Sequence, residues 1–91
     1  MTWAMADKTF TLEILTPHRK VFTGSVSSLV APGAFGYLGV LANHAPLVAT
    51  LAPGKVTYRD PEGRATALQS SGTGLLEVHH NRVTLLADEI A

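Results

Sequence analysis

Apolar residues recur in this chain with a period of two, and turn-forming residues interrupt them before any run grows long. Phe10, Leu12 and Ile14 alternate with Thr11, Glu13 and Leu15, the pattern of a half-buried strand whose successive side chains face opposite ways. Thr16-Pro17-His18-Arg19 makes a turn in which Pro17 fixes φ. Short strands are predicted over Lys20 to Gly24 and over Val26 to Ala31, the second closed by Pro32-Gly33 in type II geometry. Gly36 to Leu41 and Leu47 to Leu51 read as strands on either side of Asn43-His44-Ala45-Pro46. Lys55 to Arg59 and Arg64 to Gln69 flank Asp60-Pro61-Glu62-Gly63, a hairpin signal. Ser70 to Gly74 reads as a flexible loop, and Leu75 to Val78 and Val83 to Ala87 flank the last hairpin turn, His79-His80-Asn81-Arg82. No stretch keeps a 3.6-residue stripe. Short strands at about 8–12-residue spacing predict an all-β sandwich or barrel, with edges blunted by Lys55, Arg59 and Arg64.

Charge is distributed unevenly along this pattern. Val21 to Gly54 contains no Asp, Glu, Lys or Arg, although the chain has seven acidic and seven Lys or Arg residues in all. A free-standing domain scatters charge over its surface. An uncharged, Gly- and Pro-punctuated third therefore points to a face turned toward another protein, against the plainer reading of buried strands and short turns that fall together. The formal net charge of zero lacks the basic face that nucleic acid requires. The largest basic cluster is Arg19-Lys20, too small for an anionic-membrane patch. Pro32, Gly33, Pro46 and Pro53 break the uncharged stretch, so direct membrane insertion by a helix is not expected. There is no cysteine, which removes disulfide, thiolate-metal and cysteine-nucleophile chemistry. Ninety-one residues make one domain, expected over 9–91, with 1–8 as a flexible N-terminal tail and Met5 as an alternative start.

No catalytic constellation emerges. Gly33, Gly36 and Gly39 have GxxGxxG spacing, not the GxGxxG of a dinucleotide loop, and no helix follows them. Ser70-Ser71-Gly72-Thr73-Gly74 lacks the Lys of a phosphate loop. His44 sits in a turn with no nucleophile or orienting acid of motif standing. His79 and His80 are adjacent, so in a strand they point to opposite faces and do not chelate one ion. No catalytic residue, metal ligand, cofactor or small-molecule substrate is expected, and function is expected to come from surfaces. A peptide- or sugar-binding sandwich, or a small hydrolase on Ser71 or His44, are the rival readings. The first needs an exposed aromatic platform or a free strand edge, and the second a supporting acid.

Several segments together resemble the epsilon subunits of rotary F-type ATP synthases. They are Leu12-Glu13-Ile14-Leu15-Thr16 with Val21-Phe22-Thr23-Gly24, Leu38-Gly39-Val40, Asn43-His44-Ala45-Pro46-Leu47, Pro53-Gly54-Lys55-Val56, Ser71-Gly72 with Leu75-Leu76-Glu77-Val78, and Val83-Thr84-Leu85-Leu86-Ala87-Asp88. Order and spacing hold from about Phe10 to Asp88. The resemblance implies a flattened sandwich of two antiparallel five-stranded sheets. It implies a non-catalytic central-stalk subunit that links the gamma subunit to the membrane c-ring, at the cytoplasmic face of an energy-transducing membrane. By matching positions, Thr16, His44 and Ala49 lie toward gamma, and Phe35, Gly36, Tyr37 and Leu38 lie toward the polar loops of the c-ring. Positions 35 and 37 are often acidic in the family; Phe35 and Tyr37 here imply aromatic packing instead. Asn43 stands where glycine is common, a mild departure because Asn tolerates a left-handed turn. Many members continue into a C-terminal helical hairpin that inhibits hydrolysis or binds ATP. These residues read as the domain without it, either a naturally short form or a piece of a longer chain, and neither property carries over to them.

Overall fold

The computed structural model describes residues 8–91. These form eight strands and no helix: β1 (Phe10–Leu15), β2 (Lys20–Val26), β3 (Ser28–Gly33), β4 (Gly36–Leu41), β5 (Leu47–Leu51), β6 (Gly54–Arg59), β7 (Ala65–His79) and β8 (Arg82–Ile90). The expected tail over 1–8 lies, apart from Lys8, outside the described residues.

The architecture is organised by one long bent hairpin. β5 and β6 run in the same direction along one edge of β7: Leu47 to Leu51 pair with Val78 to Gly74, and Gly54 to Arg59 pair with Ser70 to Ala65. Between the two pairings, Pro53 lacks the N–H that a ladder requires. Opposite it, β7 carries one residue more than β8 between Ser71↔Glu89 and Gly74↔Ala87. Gly72, at φ 75°, takes the left-handed conformation of this bulge. Asp88 Oδ2 accepts the Thr73 N–H there at 3.2 Å. The bulge is where β7 exchanges β6 for β5 as its neighbour. One layer is then β2-β1-β8-β7-β5 and the other β4-β3-β6-β7. Gly33↔Leu51 joins the two at their far side.

The all-β sandwich expected from the period-two pattern is present, with several differences in detail. The layers are five and four strands sharing β7, and β1 pairs β8 in parallel. The first and last strands are separated by the whole domain, so no tight turn forces them antiparallel. The Ser70–Gly74 region expected as a loop is the bulged middle of β7. Pro32-Gly33 ends β3 rather than forming a turn. Ala34 N–H donates to Thr50 O at 2.9 Å and Ala52 N–H to Pro32 O at 2.8 Å, so pairing with the β5 end runs past the proline. Arg59 guards no edge, because β6 lies there between β3 and β7; the layers end on β2 and β5 and on β4 and the first part of β7, which Arg64 leads into.

The core is the set of inward-facing alternate residues: Phe10, Leu12 and Ile14 of β1, Leu29 and Ala31 of β3, Val56 and Tyr58 of β6, Leu76 and Val78 of β7, and Val83, Leu85 and Ala87 of β8, with Val26, Val40, Leu51 and Ile90. Phe22 of β2 and Tyr58 of β6 meet across the layers with ring centroids 4.4 Å apart. No buried side-chain polar atom among the described residues lacks a partner, as a stable interior requires.

Candidate protein-interaction site

On three strands of the five-stranded layer, both phases of the alternation are apolar: Ile14-Leu15, Leu75-Leu76 and Leu85-Leu86. The inner members Ile14, Leu76 and Leu85 are fully buried. Register sets the outer members side by side, since Leu15 pairs with Leu86, Leu86 with Leu75, and Leu75 with Thr50. Leu75 is 41% exposed, Leu86 42%, and the neighbouring Val48 64%. A sheet that faced water on this side would place polar residues there. The row instead forms an aliphatic band across β1, β8, β7 and β5, with a shallow groove lined by Thr16, Pro17, Thr50, Leu75 and Leu86. Glu13, Thr84 and Glu77, in the next row with Val48, give it the polar rim of a protein interface.

The residues expected toward gamma are strung along this layer. Thr16 follows β1 at one end, where its Oγ1 accepts the N–H groups of His18 and Arg19 at 3.2 and 3.1 Å and so builds the turn. His44 lies at the other end, in a shallow hollow with Asn43, Ala45, Pro46, His80 and Asn81. Ala49 is in mid-layer, but it is half-buried against the core, and the exposed side chains of β5 are Val48 and Thr50. Leu15, Leu75 and Leu86 were missed because they lie outside the uncharged stretch. The signal for them was the apolar doublet. That stretch does not make one surface: β2 lies at one edge of the sheet order and β5, β3 and β4 lie at the other.

The residues expected toward the ring form the β3–β4 hairpin tip. Phe35 is fully exposed, beside Gly36 at φ 131°. Leu38 is half-buried against the core. Tyr37 is 60% exposed, yet its Oη accepts the Lys55 N–H at 3.0 Å. Phe35, Tyr37 and Leu38 share a groove with Val48 and Thr50, so the tip is continuous with the aliphatic band.

Among the described residues, the side chains singled out as catalytic or metal-binding candidates are not brought together. Nδ1 of His44 sits 2.8 Å from the Ala45 carbonyl, not against a carboxylate. Ser71 Oγ donates to Glu89 Oε1 at 3.2 Å; a nucleophile needs a base to take its proton, and the imidazole of His18 shares the groove without bonding to it. The His79 and His80 rings, expected on opposite faces, stack edge-on with centroids 3.9 Å apart. His80 has left the strand for a left-handed turn position at φ 52°.

Comparison with known proteins agrees with this fold. The family model described as ATP synthase, Delta/Epsilon chain, beta-sandwich domain matches residues 9–91. The chain is 51% identical over 84 residues to the ATP synthase epsilon chain of Pelotomaculum thermopropionicum, covering 92% of this chain and 61% of that one. It is 41% identical over 88 residues to the epsilon chain of Chlorobaculum tepidum, covering 97% and 99%. A chain of the Euglena gracilis mitochondrial ATP synthase superimposes with a TM-score of 0.86 at 22% identity, over 92% of this chain and 53% of that one. A chain of the Tetrahymena thermophila enzyme's central stalk and c-ring superimposes at 0.73 and 14% identity, over 89% and 64%; at these identities both show the fold. No helix of the described residues is long and apolar enough to cross a membrane. With the family model matched from 9 to 91, this chain belongs to the delta/epsilon family of ATP synthase subunits, through its β-sandwich domain.

Proposed function

We propose that this sandwich is the non-catalytic central-stalk piece of a rotary ATP synthase, seated between the gamma subunit and the c-ring at the cytoplasmic face of an energy-transducing membrane. The observation that carries this reading is the leucine row. Three aliphatic side chains on the outside of a sheet lose contact with water only when something covers them, at about 25 cal/mol per Å² of area covered. Gamma lies over this band, with Thr16 at one end and His44 at the other. The β3–β4 tip meets the ring through Phe35, Gly36, Tyr37 and Leu38. A close-packed sandwich suits a rotor because its interior is stiff and transmits strain. Family membership adds no support for a peptide- or sugar-binding module.

The test is co-purification of gamma from detergent-solubilised membranes with wild type and with Leu86→Lys. The lysine leaves the fold intact and puts a charge in the centre of the band. Loss of gamma is expected. Retention of gamma by Leu86→Lys at wild-type yield would remove the leucine row from the contact. His44→Asp, which places a carboxylate in the same interface, is expected to weaken capture in the same direction.

A further inference from the structure

The β7–β8 turn does more than reverse the chain. His79 pairs with Arg82, and the two residues between them, His80 and Asn81, have φ of 52° and 58°, which is type I′ geometry. Asn-Gly is the usual choice for such a turn, so an Asn in the second place must be explained by its side chain. Oδ1 of Asn81 accepts the Asn43 N–H at 2.6 Å, and Nδ2 donates to the Thr9 carbonyl at 2.9 Å. Its main-chain carbonyl accepts the Thr11 N–H at 3.2 Å. One residue thus joins the last hairpin, the entry to β1 and the loop at 42–46.

That loop depends on this contact. Asn43 is itself left-handed, at φ 61°, and His44 N–H closes the turn on Leu41 O at 3.2 Å. Both features are local. Among the described residues, the Asn43–Asn81 bond is the one hydrogen bond that ties 42–46 to another segment. We infer that Asn81 is a positioning residue. It fixes the 42–46 loop against the sandwich and so sets where His44 is presented to the partner. The partner part of this inference rests on the proposed gamma contact; the loop part does not. An amide is the side chain that fits both bonds, since Oδ1 accepts while Nδ2 donates.

Two variants of the whole chain test it. Asn81→Gly suits the left-handed turn and deletes the side chain. Asn81→Asp keeps an acceptor for Asn43 but sets a carboxylate oxygen, in place of the donor, against the Thr9 carbonyl. Hydrogen exchange at the Asn43 amide and capture of gamma are read on both. For Asn81→Gly, exchange at Asn43 is expected to rise about tenfold and gamma affinity to fall about fivefold, with the domain still folded. Asn81→Asp, which retains the Asn43 acceptor alone, is expected to fall between the glycine variant and wild type in both. Unchanged protection of Asn43 in the glycine variant overturns the positioning role. Raised exchange with undiminished gamma capture overturns its link to the partner. A wild-type chain that captures no gamma overturns the proposed function instead, and exchange alone then decides the loop.

Discussion

The hydroxyl of Tyr37 accepts the backbone N–H of Lys55 at 3.0 Å, which ties the start of β4 to the start of β6 although Tyr37 is mostly exposed. The fit is close: a Cβ on Gly54 would lie 2.7 Å from that oxygen and 2.8 Å from Pro32 Cβ. Tyr37 is therefore a clasp on the hairpin as well as part of its surface. Tyr37→Phe is expected to lower unfolding free energy by about 1 kcal/mol, the net worth of one hydrogen bond. Tyr37→Ala should cost no more than about 2 kcal/mol, short of a core deletion. Urea denaturation of the two variants checks this, and a larger loss would place the ring in the core.

Leu85 and Leu86 are neighbours in sequence and opposites in energetics. Leu85 is fully buried and Leu86 is not. Leu85→Ala is expected to cost about 2–5 kcal/mol and Leu86→Ala less than about 1 kcal/mol in the isolated chain. Equal losses in thermal unfolding would contradict the outward assignment of Leu86.

Gly74 has no room for a side chain. A Cβ there would run into the Leu86 carbonyl oxygen and lie 3.2 Å from Ala87 Cα, and both are backbone atoms in a paired strand. Gly74→Ala is expected to destabilise the domain by about 3 kcal/mol or more. Gly63, at φ 92° with open space around it, should cost only the left-handed strain of about 1–2 kcal/mol on the same change. Circular dichroism melts of the pair order the two effects, and a milder Gly74→Ala would refute the clash.

Asp60 organises the β6–β7 turn. Its Oδ1 accepts the N–H groups of Glu62 and Arg64, each at 2.9 Å, while its carbonyl accepts Gly63 N–H at 2.9 Å. Asp60→Ala is expected to cost about 1–2 kcal/mol, and Asp60→Asn less, because the amide oxygen still accepts. Denaturant midpoints in which Asn is no better than Ala would show that the carboxylate's charge, and not its geometry, holds the turn.

The class of fold, most of the strands and the family are legible in the order of residues. Those rest on local regularities: the alternation from Phe10 to Ile14, the Asp60 to Gly63 turn, and the order of short motifs along the chain. A period of two is written in neighbouring residues, so no tertiary knowledge is needed to see it. Which residues share a surface follows from how the strands pair. Leu15, Leu75 and Leu86 meet only because β1 pairs with β8 and β8 with β7 in one register, and a shift of one residue in any of these strands would turn its leucine inward. Ser70 to Gly74 looks like a loop in composition, yet Asp88 and the β8 ladder hold it as a bulged strand. Asn43 and Asn81 lie 38 positions apart, and nothing in either neighbourhood announces the other. Local pattern fixes which residues face in or out of a strand; which strands become neighbours is set by burying all the inward faces at once.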